Sequence, residues 1–167
     1  MLVAIRPAVP GDAPAIRNVA LESWPTTYHG IFTPDFIASF LDRNYNVESL
    51  EQAIAFTWQD DFRIFDAAID ERGRVVGFLQ MSLKGDHPFL WRLYVLPSHQ
   101  RQGIGLVLLT RLEDHLRSRG NSSYGLLVHS QNEIGKAFYL KHRFVHQPQK
   151  DEGGEWFMEK VLNVANG

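Results

Sequence analysis

The sequence predicts a single α/β domain in which helices come first and a mixed sheet with helical crossovers follows. Three observations carry that reading. The chain has 167 residues, 44% hydrophobic and 12% aromatic, enough to bury one core unaided. Its texture changes at Phe62, from apolar residues at helical spacing to short apolar runs broken by turn residues. No Ser/Gly linker, charge block or internal repeat divides it.

Leu2 to Arg6 reads as a short strand. Pro10, Gly11 and Asp12 then offer Asp12 as the N-cap of a helix carrying Ile16, Val19 and Ala20, which should fail near Pro25. Pro34 can open a short helix with Phe36, Ile37, Phe40 and Leu41 on one side, and Val47 to Trp58 repeats Leu50, Ile54 and Trp58 every four residues. Phe62 to Ile69 and Val75 to Leu83, joined by Asp70 to Gly73, fit two antiparallel strands, and Phe89 to Leu96 a third that Pro97 ends. Ile104, Leu108, Leu112 and Leu116 give the next helix one buried stripe, with a stop at Gly120. Tyr124 to Val128 reads as a strand and Asn132 to Lys141 as a helix. Phe144 to Gln149 with Trp156 to Val161 reads as a closing hairpin around Gly153 and Gly154.

Composition narrows the function. The 17 Lys and Arg nearly balance 19 Asp and Glu, for a formal charge of −2, so no nucleic-acid or anionic-membrane partner is expected. No stretch approaches the roughly 20 apolar residues of a bilayer span, and Met1 to Pro10 lacks a signal-like apolar core, so a cytoplasmic protein is expected. The absence of cysteine rules out disulfides, thiolate metal sites and a cysteinyl intermediate. His142 and His146 have the spacing of a metal pair only on a continuous helix, and Phe144 and Val145 read as a strand start, so no metal is expected.

The segment richest in chemistry is the strand ending Leu93-Tyr94-Val95-Leu96-Pro97, followed by Ser98 to Gln102, then Gly103, Ile104, Gly105 and a helix. At such a junction free backbone N–H groups and the positive end of the helix dipole can hold a pyrophosphate. A dinucleotide fingerprint would need glycine where Leu108 stands, and a P-loop needs a Gly-Lys-Ser/Thr triplet that is missing.

Gln100-Arg101-Gln102-Gly103-Ile104-Gly105 resembles the Gln/Arg-x-x-Gly-x-Gly/Ala loop of the GNAT superfamily of N-acetyltransferases. Upstream, Leu93 to Pro97 is similar to the strand that precedes that loop. Downstream, Asn132, Ala137, Phe138, Tyr139 and Phe144 fall where the family has Asn, Ala-x-x-Phe-Tyr and Gly-Phe, so the resemblance spans roughly residues 73 to 145. It implies a mixed, mostly antiparallel sheet, flanked by helices and splayed between its fourth and fifth strands. It also implies acetyl-CoA as co-substrate, its pyrophosphate on Gln100 to Gly105, its pantetheine arm along Leu93, Tyr94 and Val95, and Asn132 and Lys136 beside it. On a helix Asn132 and Tyr139 lie seven residues apart and share a face.

The implied reaction moves acetyl from acetyl-CoA to a primary amine by direct attack in a ternary complex, with Tyr139 as the acid that meets the thiolate. The strand backbone at 93 to 95 would stabilise the oxyanion. Where family members place a glutamate, this chain has Phe89, Leu90 and Trp91 on one strand and Leu127 on the next, which leaves His129 and Glu22 as candidate general bases. Trp24 and Tyr28 are candidate acceptor-site residues, and Arg143 stands where the family has glycine. The expected acceptor is a small-molecule amine. The residues also leave open a protein N-terminal or lysine acetyltransferase and an acyl-CoA sensor without turnover, and a homodimer is an open expectation.

Overall fold

A computed structural model describes residues 3–163, so Leu2 lies outside the described residues. The elements follow in the order β1 (Ala4–Pro7), α1 (Ala13–Tyr28), α2 (Pro34–Asn44), α3 (Val47–Thr57), β2 (Ile64–Ile69), β3 (Val75–Lys84), β4 (His87–Val95), α4 (Ile104–Ser118), β5 (Ser123–His129), α5 (Glu133–Lys141), β6 (Val145–His146) and β7 (Glu155–Val161). The seven strands form one sheet in the order β1-β2-β3-β4-β5-β7-β6, antiparallel except for β4 beside β5.

The two faces of the sheet bury different helices. On one, the stripe Ile104, Leu108, Leu112 and Leu116 of α4 meets Tyr124, Leu126 and Val128, the alternate residues of β5. On the other, Ile16, Val19, Ala20 and Trp24 of α1 pack with Ile37, Leu41, Leu50 and Ile54 over Phe65 and Phe78.

Four sequence expectations are corrected. Helix α1 runs through Pro25 to Tyr28. The proline deprives only the carbonyl of Leu21, an exposed residue whose oxygen water can serve, and the Thr26 hydroxyl donates to the next carbonyl, that of Glu22, at 3.4 Å. Asp12 does not cap α1 through its side chain. Its carboxylate accepts from the Val9 amide at 2.8 Å and takes a bidentate pair from Arg6 at 2.7 and 2.9 Å, fastening β1 to the turn that follows. Trp58 falls just beyond α3 and is 64% exposed rather than part of its stripe. The strand expected over Phe144 to Gln149 pairs only at Val145 and His146, because Pro148, which has no N–H, opens a 3-10 turn.

The feature that positions the site lies in β4. Gln80 faces Arg92 while Met81 faces Leu90, so Trp91 is an extra residue, a bulge. On its other edge β4 pairs with β5 only at Phe89 with Gly125 and Leu90 with Leu126. Beyond the bulge the two strands part, and a V-shaped opening splits the sheet, as the resemblance implied for the fourth and fifth strands.

Candidate active site

The opening begins with unpaired backbone. The Leu96 amide donates to Val76 of β3 at 2.8 Å. Since N–H and C=O directions alternate along a strand, the Leu93 and Val95 amides point away from β3, into the opening. The Val95 carbonyl confirms the direction by accepting from the Gln100 side chain at 3.3 Å.

The loop from Gln100 to Gly105 continues this row of donors. The first backbone bond of α4 runs from Val107 to the Gly103 carbonyl at 3.0 Å, and the amides from Arg101 to Leu106 meet no acceptor among the described residues. Gly103 sits at φ +80°, left-handed backbone that glycine adopts without strain, and Arg101 reaches φ +63°. These turns aim successive N–H groups at one concavity in front of the helix N-terminus, a cradle for an anion. At Gly105 a Cβ would stand 3.3 Å from Cζ of Phe138, so glycine here lets α4 and α5 approach closely. That contact sets the position of the residue next to Phe138, which is Tyr139.

Tyr139 packs edge-on against Phe138 and Phe144, both at 5.2 Å between ring centres. Its hydroxyl takes no hydrogen bond from the described residues. Burial, reinforced by the nearby Tyr28 hydroxyl, pushes its pKa far above that of an ordinary phenol, so it stays a neutral proton donor. Tyr139 packs against the core on one face of the sheet and Tyr28 against the core on the other. Tyr28 and Tyr94 share a hydrogen bond of 3.2 Å between hydroxyls, and burial lifts Tyr28 to about 12.

An opening in a mixed sheet, free strand amides at its wall, an anion cradle at its mouth and a neutral tyrosine inside it form one arrangement, and residues 21–144 match the acetyltransferase (GNAT) family. The chain belongs to that family. This GNAT protein is an N-acetyltransferase that uses acetyl-CoA to acetylate an amine. A spermidine N(1)-acetyltransferase of Thermoplasma acidophilum is 30% identical over 160 residues, covering 96% of this chain and 98% of the relative. The crystal structure of the PaiA N-acetyltransferase of that organism, in complex with coenzyme A, superposes with a TM-score of 0.90 at 30% identity, over 96% of this chain and 99% of that one. A ribosomal protein bS18 alanine N-acetyltransferase of Escherichia coli is 29% identical over 102 residues, 57% of this chain and 68% of its own.

The acetyltransferase treats the remaining sequence candidates unevenly. Asn132 caps α5, accepting from the Gly135 amide at 2.9 Å, which leaves its own NH2 free to donate. Lys136 is engaged elsewhere, 2.9 Å from Glu133 and 4.2 Å above the Trp156 ring. Trp24 is 6% exposed and lies in the aromatic core behind the opening, its centre 4.4 Å from Tyr28 and from Phe40, so it supports the wall instead of forming its surface. Its Nε1 is buried and meets no acceptor in hydrogen-bonding geometry among the described residues.

Neither candidate base is arranged for that work. Glu22 is exposed and accepts from Asn18 at 3.4 Å. It lies two residues, about 200° of helix, from the inward Trp24, so it faces solvent. His129 stands edge-on to Phe32, which follows α1, at 5.1 Å. However, its Nδ1 accepts from the Gln131 amide at 3.1 Å, which places the proton of the neutral ring on Nε2 and leaves no lone pair for an incoming amine. His142 rests edge-on to Phe138 at 4.7 Å and His146 stacks on Trp156 at 3.8 Å, so the two histidines serve different contacts.

The sequence places Glu155 in the acidic, glycine-rich stretch Asp151 to Glu155, which reads most simply as a solvated hairpin turn and otherwise as a negative lip that attracts a cationic amine. The structure makes Glu155 the first residue of β7, directly across from His129. Burial raises its pKa. The missing signal was strand register, which composition does not carry.

Proposed function

We propose that the acceptor is a small aliphatic amine of the polyamine class, acetylated by direct attack within the opening between β4 and β5. The observation that carries the reading is the unpartnered Tyr139 hydroxyl, which shares the opening with the free amides of Leu93 and Val95. The structure fits the coenzyme because orphan N–H groups from Arg101 to Leu106 suit a pyrophosphate, and the β4 edge suits a pantetheine amide chain. The full-length similarity to a spermidine acetyltransferase supports the choice of acceptor.

In this reading a free amine nitrogen attacks the thioester carbonyl carbon while a strand amide at Leu93 or Val95 donates to the carbonyl oxygen as it gains charge. The carbon–sulfur bond breaks, the Tyr139 hydroxyl hands its proton to the departing thiolate, and the new amide nitrogen loses the proton that restores the balance. An ammonium acceptor yields an amide, a thiol and one proton released to solvent. With no cysteine in the chain, no cysteinyl intermediate intervenes.

Two linked measurements test the proposal. At a hundred times its dissociation constant a ligand adds about 2.7 kcal/mol of stability, a rise of roughly 5–10 °C in unfolding midpoint for a domain of this size. The rise is expected with acetyl-CoA and CoA and not with NAD. Thiol release should then follow addition of spermidine or a simple diamine. An unchanged midpoint in saturating acetyl-CoA rejects the cradle, and a midpoint that rises without amine-dependent thiol release rejects the small-amine acceptor.

A further inference from the structure

One carboxylate stands apart from the others. Among the described residues, the carboxylates that are not exposed have cationic or hydrogen-bonding partners: Asp12 has Arg6, Asp70 has Arg74, Glu113 has Lys160 and Tyr124, and Asp66, whose buried Oδ2 accepts no hydrogen bond, is ion-paired with Arg111. Asp60 likewise has Arg63, and Glu159 has His87 and Gln147. Glu155 is half-buried and takes neither an ion pair nor a side-chain hydrogen bond from the described residues. Its neighbour in the turn, Glu152, is already paired with Lys84 at 2.8 Å. Its oxygens are not among the buried unpartnered atoms, so solvent reaches them, and a carboxylate that water alone satisfies is open to a ligand's cation.

The backbone fixes where Glu155 points. Glu152 and Glu155 exchange backbone hydrogen bonds of 3.2 and 2.9 Å across Gly153 and Gly154, whose positive φ angles of 59° and 81° make the tight turn that suits a hairpin. Directly opposite residues of an antiparallel pair project to the same face, so Glu155 shares a face with His129. That face is the acceptor side, because the His129 ring touches Phe32, which in turn lies 5.4 Å from Tyr28 and 4.7 Å from the exposed Phe36. His129 lies three residues beyond Leu126, the last β5 residue paired with β4, so Glu155 stands about 10 Å along the opening from where the strands part.

We propose that Glu155 binds a second ammonium of the acceptor, with Tyr28, Phe32 and Phe36 as the apolar wall for the methylenes between the nitrogens, so that the enzyme selects di- and polyamines over monoamines. This rests on the small-amine reading above and names the residue that sets its specificity. The chemistry matches on both sides: an aliphatic chain lies on aromatic rings while its cation, partly desolvated, meets a carboxylate that makes no ion pair or side-chain hydrogen bond among the described residues. The electrostatic influence of Glu155 on Tyr28 supports their proximity.

The test compares kcat and KM for spermidine and for butylamine in the full-length enzyme, its Glu155→Gln variant and, as a control, Glu152→Gln. Glu155→Gln should raise KM for spermidine by roughly 10- to 100-fold with kcat nearly unchanged and leave butylamine unaffected. Glu152→Gln should preserve the ratio between the two amines. An unchanged ratio in Glu155→Gln, with acetyl transfer intact, overturns the assignment of Glu155 alone. A fall in kcat for both amines together with loss of the acidic limb of the pH profile makes Glu155 a proton acceptor and also overturns it. If the wild-type enzyme binds acetyl-CoA but acetylates neither amine, the small-amine reading fails and the assignment with it.

Discussion

Tyr139→Phe separates chemistry from structure unusually well in this protein. The substitution removes one hydroxyl that hydrogen-bonds nothing among the described residues and leaves the ring contacts with Phe138 and Phe144, both at 5.2 Å, in place. Deleting a polar group that has no partner among the described residues strands no other group, so stability should move by less than about 0.5 kcal/mol, or about 2 °C in midpoint. The rate should respond quite differently. General acid catalysis contributes about 10²- to 10⁴-fold, and with water left to protonate the thiolate a loss of about 10²-fold in kcat is expected, near 2.7 kcal/mol of barrier. The assay is thiol release at saturating spermidine and acetyl-CoA, from pH 7 to 10, alongside thermal unfolding of both proteins. Because burial raises the Tyr139 pKa far above that of a free phenol, the hydroxyl is protonated throughout this range, and the wild-type kcat should show no falling alkaline limb from it. A kcat within about threefold of wild type, at an unchanged midpoint, would refute the acid role. A midpoint lowered by more than about 5 °C would instead refute the premise that the hydroxyl is free.

Two further outcomes concern the scaffold. Arg143 holds φ +73° at the turn after α5, a left-handed conformation that strains a residue bearing Cβ by roughly 1–2 kcal/mol, so Arg143→Gly should stabilise the protein by about 1 kcal/mol after the entropy of glycine is counted. A gain of about 2–4 °C with unchanged kcat is expected in a thermal melt, and a loss would contradict the strain argument. Tyr28, Tyr94, Tyr124 and Tyr139 all have pKa values raised chiefly by burial, Tyr28 to about 12, whereas the unfolded chain titrates near 10. Above pH 10 the unfolded state therefore binds fewer protons than the folded one, and stability falls as pH rises, with Tyr28 alone accounting for a loss of about 2 kcal/mol by pH 12. Urea unfolding at pH 8, 10 and 11.5 measures this, and a flat stability across those values contradicts it.

The parts of the fold that were legible in the sequence are those written in local periodicity. The stripe of α4, the apolar runs of β2 and β3, and the start of α2 at Pro34 all depend on residues close in sequence. The misreadings arose where a distant group decides. Pro25 argues against a helix locally, yet Ser23 and Trp24 before it and Tyr28 after it are held in the α1 packing, which outweighs one missing hydrogen bond. Asp12 has the chemistry of a cap, but Arg6, brought near by β1, offers a stronger partner. Phe144 to Gln149 has strand-like composition, while pairing was available only for Val145 and His146.

The same division runs through the site. The coenzyme side depends on backbone donors, and a backbone geometry that exposes them demands glycine at φ +80° after a strand that ends in proline, a short pattern that survives in sequence. The acceptor side depends on side chains gathered from α1, the loop after it, β5 and β7, and their grouping follows from which residues of β5 and β7 stand opposite one another. Glu22 looked suitable because α1 borders the opening, but a helix presents each residue to one direction only, and two residues from Trp24 is the wrong one. His129 looked suitable from its place at the end of β5, but a single backbone amide from Gln131 settles its tautomer against base work. Glu155 looked like part of a turn, although the two glycines that make the turn so tight are what lock it into register with His129. The tight turn thus does for the acceptor side what Gly103 does for the coenzyme side: backbone that only glycine adopts easily holds a charged or polar group where a ligand can complete it.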